Sequence, residues 1–261
     1  MRRLRALRAG ATLLACSAVL PAAAAEPLRF IACPVYRDVD AGRKSGCWLA
    51  EDAATGLRYD VSPSPTKPDW NHEVLVEGSV ATAQDNACGG VVLDPVRVSI
   101  LPGSCTRHSL PAEGFPGRRF VLPPRNVRPL SEARKPPAGP WTDRSFHLQF
   151  EWDRSFAVYQ LDDYLLDQAI TYIRAVKPRE IVVTGYAATV PAVVSGRRIA
   201  ERTQVARERA EMVGESLLRL GVPKSILTVQ WRDAAEPAPI DAADGLAEAS
   251  RRRVDIDVKL P

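Results

Sequence analysis

A chain of 261 residues, 25% of them charged, with a formal net charge of only +4 carries no global electrostatic drive toward nucleic acid. Apart from an N-terminal leader, no apolar run approaches the about 20 residues that a membrane-spanning helix needs. No Gly-x-Ser-x-Gly, His-Glu-x-x-His or phosphate loop occurs, and His72, His108 and His147 stand far apart, so the chain reads as a non-enzyme without cofactor or metal.

Met1 to Ala25 has the three parts of a secretory leader. Arg2, Arg3, Arg5 and Arg8 make a positive end, Ala9 to Leu20 is mostly apolar, and Pro21 to Ala25 offers small residues for cleavage. The expected cut lies near Ala25, leaving a mature chain close to neutral. Leu13-Leu-Ala-Cys16 admits a second reading as a lipoprotein signal, with Cys16 acylated.

Four cysteines follow the leader: Cys33, Cys47, Cys88 and Cys105. In an exported chain an even count favours two disulfides, and the long irregular spacings do not suit zinc. All three pairings remain open. The nested one, Cys33 with Cys105 and Cys47 with Cys88, ties the first and last parts of one small domain together.

Residues 26–110 read as β. Cys47 to Ala50, Leu57 to Val61, Glu73 to Val80 and Gly90 to Leu101 are β-prone runs parted by turn residues. Their order predicts a small disulfide-stapled Greek-key barrel of the OB type. Trp48, Tyr59 and Trp70 with Arg43, Lys44 and Arg58 could serve nucleic acid on such a barrel, but a small core needs aromatics for its own packing, and no nucleic-acid binding is expected. Residues 111–144 hold Pro111, Pro116, Pro123, Pro124, Pro129, Pro136, Pro137 and Pro140, the composition of a semi-rigid linker. Within it Phe115 to Leu122 is a candidate edge strand, and the arginines are expected to be solvated.

From 145 to 261 the pattern changes to strands alternating with helices. Phe146, Leu148, Phe150 and Trp152 alternate on one face of a strand, and Leu161, Leu165, Ala169, Ile173 and Val176 recur at helical spacing before Pro178. Glu180 to Gly185 is an apolar, β-branched strand. Val205, Ala206, Ala210, Val213, Leu217 and Leu220 mark a second helix, stopped by Gly221 and Pro223. Ile226 to Trp231 and Arg253 to Val258 are two further strands. Right-handed crossovers then place both helices on one side of one open sheet. The fold class is α+β.

"FEWDRS" after the first strand, "VTGYA" after the second, Val205-Ala-Arg-Glu-Arg-Ala210, "RLGVP" and Ser250-Arg-Arg-Arg-Val-Asp255 occur in one order. Over about residues 146–258 this resembles the C-terminal domain of the OmpA family, shared by Pal and MotB. The resemblance implies a periplasmic domain at the peptidoglycan or outer membrane. There an aspartate in a "GHTD"-like loop and an arginine in an "LSxxRA"-like helix grip diaminopimelate, which offers an ammonium to the acid and a carboxylate to the guanidinium.

Gly185 matches the family glycine and Arg209 the helix arginine, but Tyr186 replaces the histidine and Ala188 the aspartate, and no Asp or Glu occurs between Tyr186 and Ala200. Arg202 falls where an asparagine is usual, and Arg252 and Arg253 match the closing pair. The implied peptidoglycan-binding residues are therefore Arg209, Tyr186, Arg202 and Arg253. A purely structural role for Arg209, paired with Asp255 or Glu208, is the competing account. Ala188 and Arg209 are 21 positions apart, which makes Thr189 to Gly196 an inserted apolar segment. Arg197, Arg198, Arg202, Arg207 and Arg209 form a cluster expected to attract anions. The expected protein is a non-catalytic envelope component with peptidoglycan or envelope proteins as partners; the alternative is a periplasmic interaction module that no longer binds peptidoglycan.

Overall fold

The structure is a computed structural model describing residues 27–39, 46–118, 135–156, 161–238 and 243–261. The expected leader with Cys16, the side chains of Arg43 and Lys44, and residues 119–134 of the proline-rich linker lie outside the described residues.

The N-terminal half is a sheet of β1 (Leu28–Ala32), β2 (Pro34–Arg37), β3 (Cys47–Asp52), β4 (Leu57–Asp60), β5 (His72–Val80), β6 (Val91–Ser104) and β7 (Ser109–Leu110), in the order β1-β5-β6-β4-β3-β2-β7. β3 and β4 form a hairpin whose turn rests on Asp52. The Asp52 carbonyl accepts from the Thr55 and Gly56 N–H groups, and Gly56 takes φ +68°, which a glycine adopts without steric cost.

The strand order has ends at β1 and β7, so the expected closed barrel is corrected to a sheet with two ends. Cys33 parts the run from Leu28 to Arg37 into two strands with different partners. β1 pairs with β5, while β2 pairs with β3. The disulfides join Cys33 to Cys105 and Cys47 to Cys88 with Cα–Cα distances of 5.7 and 5.6 Å, the nested arrangement.

β5 is buried from Val74 to Gly78 because both of its faces are covered. Val74 and Val76 pack inward with Phe30, Tyr59, Val61, Leu93, Val96 and Val98. Leu75 points the other way, into a cluster with Ile31, Leu101, Trp152, Ala188 and Val194. Tyr59 is thus a core residue, 4% exposed. Arg118, expected to be solvated, instead donates to Asp60 at 2.9 Å and Asp85 at 2.7 Å, and the Gly117 N–H reaches the Ala87 carbonyl, so the linker starts by lying along the sheet.

The C-terminal half comprises β8 (Arg144–Gln149), α1 (Leu161–Val176), β9 (Glu180–Tyr186), a hairpin of β10 (Ala192–Val194) and β11 (Arg197–Ile199), α2 (Val205–Arg219), β12 (Leu227–Arg232), α3 (Ala247–Ser250) and β13 (Arg253–Lys259). The sheet order is β12-β9-β13-β8, with β12 parallel to β9 and β13 antiparallel to both neighbours. One apolar core joins Phe146, Leu148 and Phe150, the α1 residues Ala169, Ile170 and Ile173, the α2 residues Ala210, Val213 and Leu217, and Ile181, Val183, Val254 and Ile256. Both helices therefore cover one face, as the sequence predicts. Gly221 takes φ +94° just after α2, which ends it.

Trp152 departs from the sequence reading. The strand stops at Gln149, and Trp152 leaves the C-terminal core for the cluster shared with β5. The shared face also buries Glu77, which accepts from Arg252 at 2.5 Å and Arg29 at 3.0 Å. The guanidinium groups of Arg29 and Arg252 lie 5.6 and 5.7 Å from the Trp152 ring. Among the described residues no helix is long and apolar enough to cross a membrane.

Candidate functional site

The site begins at Gly185, near the end of β9. A Cβ there would lie 2.1 Å from the Ala206 carbonyl oxygen and 2.9 Å from the Ala210 Cβ, so only glycine lets α2 pack this closely on the strand. That approach carries Arg209, one α2 turn further on, into the layer between helix and sheet edge, where it is 0% exposed.

Every N–H of the Arg209 guanidinium has an acceptor within the chain. Nε donates to the Arg154 carbonyl at 2.8 Å. Nη1 donates to the Tyr186 carbonyl at 2.8 Å and Glu201 Oε2 at 3.2 Å, and Nη2 to the Glu151 carbonyl at 3.0 Å and Glu201 Oε1 at 2.6 Å. Glu201 in turn accepts from the Asp153 N–H at 2.7 Å and the Ala188 N–H at 2.6 Å. Burial pushes the Glu201 carboxyl up, but the charge and hydrogen bonds of Arg209 outweigh it, and its pKa lies below the usual carboxylate value.

Glu201 is the residue of this pocket that the sequence reading missed. It stands one position beyond the stretch from Tyr186 to Ala200 in which an acid was sought, and its signal was its place four residues before α2, within reach of that helix's first turns. The structural partner of Arg209 is therefore Glu201 and not Asp255 or Glu208. Asp255 pairs with Arg253 and His147, at 3.1 and 2.7 Å, and Glu208 with Arg202 at 3.1 Å.

The remaining expected site residues divide between two faces. Arg202 stays beside the Arg209 pocket but is exposed, held by Asp153 at 3.0 Å and by Glu208. Tyr186 offers the pocket only its carbonyl. Its ring turns to the sheet face away from the helices, where the Arg253 guanidinium lies 4.0 Å from the ring centroid. Burial first, and Asp255 after it, raise the Tyr186 phenol pKa above its ordinary value. Arg253 also donates to the Ser250 carbonyl at 2.9 Å. The structure thus brings Arg209 and Arg202 together and sends the Tyr186 ring and Arg253 elsewhere.

Four of the five arginines of the expected anion-attracting cluster, all but Arg198, are paired with acids of the chain. Arg197 meets Glu73 at 2.6 Å, Arg207 meets Glu211 at 2.7 Å, and Arg202 and Arg209 are paired as described. The inserted segment from Thr189 to Gly196 contributes β10 and the turn to β11, where Ser195 and Gly196 both take positive φ, +48° and +73°. That is the geometry of a tight two-residue hairpin turn.

No protein-family model matches the chain, and no curated protein matches it in sequence. Solved structures similar to it include the OmpA-like domain of FopA1 from Francisella tularensis subsp. tularensis SCHU S4, at 15% identity over 46% of this chain and 73% of that one, with TM-score 0.36. The peptidoglycan-associated lipoprotein from Burkholderia pseudomallei is 21% identical over 44% of this chain and 90% of its own, with TM-score 0.33. The cell wall anchor of the T6SS from Pseudomonas aeruginosa is 22% identical over 46% and 82%, with TM-score 0.35. Over its C-terminal half, in the order of its motifs, the chain is similar to an OmpA-like domain.

Proposed function

We propose that this is a non-catalytic cell-envelope protein whose OmpA-like half works as a structural and interaction module rather than as a diaminopimelate clamp. One observation carries this reading: all five N–H donors of Arg209 are satisfied by the chain itself, so the guanidinium has none left for a ligand carboxylate. The family acid is Ala188, so the ammonium of diaminopimelate also lacks a partner. Export to the periplasm is supported by the leader-like first 25 residues and by two disulfides, which persist in oxidising compartments.

The proposed organisation is a leader at 1–25, an OB-like unit at 26–110, a linker at 111–144 and the OmpA-like unit at 145–261. Supporting an OB-like wrap, β1 and β2 are one run interrupted only at Cys33, and the run pairs with β5 at one end and β3 at the other. Buried contacts such as Arg252 with Glu77 support joint action of the two units as one platform for an envelope partner.

Co-sedimentation of the mature protein with purified diaminopimelate-type sacculi tests the proposal. The protein is expected to stay in the supernatant. Sedimentation that a soluble diaminopimelate-containing stem peptide competes away overturns it.

A further inference from the structure

We propose that Arg209, together with the backbone N–H groups of Ala188 and Asp153, forms a preorganised carboxylate receptor that the chain fills with its own Glu201. With the Glu201 side chain removed, the receptor accepts a small free monocarboxylate.

The four donors converge on one carboxylate. Oε1 receives the Asp153 N–H at 2.7 Å and Arg209 Nη2 at 2.6 Å, and Oε2 receives the Ala188 N–H at 2.6 Å and Arg209 Nη1 at 3.2 Å. This is two-point guanidinium recognition with one backbone donor added to each oxygen, the pattern by which proteins hold a carboxylate ligand. Both side chains of the pair are 0% exposed.

The donors are held in place by bonds that do not involve the carboxylate. Arg209 is fixed by the carbonyls of Arg154, Tyr186 and Glu151. Asp153 takes φ +53°, and its own carboxylate accepts from the Arg202 N–H at 2.8 Å and Nε at 3.0 Å. Ala188 follows β9, and its carbonyl accepts the Glu201 N–H at 3.0 Å. Deleting the Glu201 side chain beyond Cβ therefore leaves a shaped, positively polarised site. The deleted heavy atoms are Cγ, Cδ, Oε1 and Oε2, the same set as in acetate. An apolar replacement cannot satisfy those donors, and a buried guanidinium without a counter-charge is costly, so the empty site favours any carboxylate that can enter.

The inference stands apart from the envelope reading, because its readout is folding stability and needs no peptidoglycan. Thermal unfolding of the full chain with Glu201→Ala is measured in sodium chloride, in sodium acetate at equal ionic strength, and in sodium chloride with added acetamide, the neutral counterpart of acetate. The variant is expected to melt below the parent in chloride and to regain stability saturably in acetate, with an apparent dissociation constant on the order of 1–100 mM as suits so small a ligand. Acetamide should not rescue it, and the parent should melt alike in chloride and acetate. Should the variant fail to fold in chloride, refolding yield is compared between the same solutions, and recovery in acetate alone supports the receptor. Equal behaviour of the variant in acetate and chloride, in melting or in yield, overturns it, as does equal rescue by acetamide.

Discussion

In the N-terminal half two disulfides span 72 and 41 residues of sequence, whereas the C-terminal half has no cysteine and holds its loops with the Arg209–Glu201 pair and the carbonyls around it. A disulfide acts largely by restricting the unfolded chain and is indifferent to moderate changes of pH. A buried ion pair acts only in the folded state, and what it contributes depends on both partners keeping their charge. Two neighbouring halves of one protein therefore answer to different stresses, reduction for one and acid for the other. The face they share, with Glu77 between Arg29 and Arg252, is ionic as well.

The largest expected effect breaks the ionic side. Arg209→Met strands the Glu201 carboxylate in the interior and is expected to cost about 3–5 kcal/mol in urea unfolding. Adding Glu201→Leu should recover only part of this, because the Tyr186, Glu151 and Arg154 carbonyls still lack their donor. The same pair sets a pH dependence. Since the folded-state pKa of Glu201 is depressed, its contribution is complete above the ordinary glutamate value of about 4.3 and is lost as pH falls through the lower folded value. Amide hydrogen exchange at Val183 should therefore accelerate below about pH 4 more than at Val76 of the stapled half, relative to intrinsic rates. A loss below about 1 kcal/mol for Arg209→Met would mean that the pair is ornamental to stability.

Next in size is the covalent side. Replacing Cys47 and Cys88 together by serine should cost about 2–4 kcal/mol, and replacing Cys33 and Cys105 about 0.5 kcal/mol more, because the loop it closes is longer. Denaturant midpoints of the two double variants check the order. The reverse order would show that native packing around the bridges outweighs chain restriction.

The smallest effect sharpens the contrast within one helix. Arg207 lies two positions from Arg209 and pairs with Glu211 across one turn, but their side chains are 58% and 47% exposed. Arg207→Ala should change stability by no more than about 0.5 kcal/mol. A larger loss would point instead to the Trp231 ring, 5.3 Å from the Arg207 guanidinium.

The four sheet strands and the two long helices of the C-terminal half were legible because each shows a clean period, and Gly221 and Gly185 stand where backbone geometry requires glycine, whereas β10, β11 and α3 were not read. What escaped reading depends on contacts distant in sequence. β1 and β2 went unanticipated because a proline beside Cys33 masks the strand pattern in the sequence and only pairing with β5 and β3 reveals the two strands. Trp152 continued the alternation of β8, yet the neighbouring half offered it a better-covered site. The nested cysteine pairing, preferred in the sequence because it ties the ends of one small domain together, is the one the structure holds. At the candidate site Arg209 was readable from the helix motif, whereas Glu201 was not, since its function comes from a loop that folds back to bring it under Ala188 and Asp153.

The β10–β11 hairpin also covers part of the β1 edge. β1 ends the N-terminal strand order, and an end strand offers outward N–H groups on which another chain could add a strand. The Ile31 N–H of that strand is taken by the Ser195 hydroxyl oxygen at 2.9 Å, and Val194 packs in the same cluster as the Ile31 side chain. An insertion within one half thus acts as the edge guard of the other. Shortening the segment from 190 to 198 is expected to leave the Ile31 N–H without its Ser195 acceptor and the β1 edge open to pairing with a second copy.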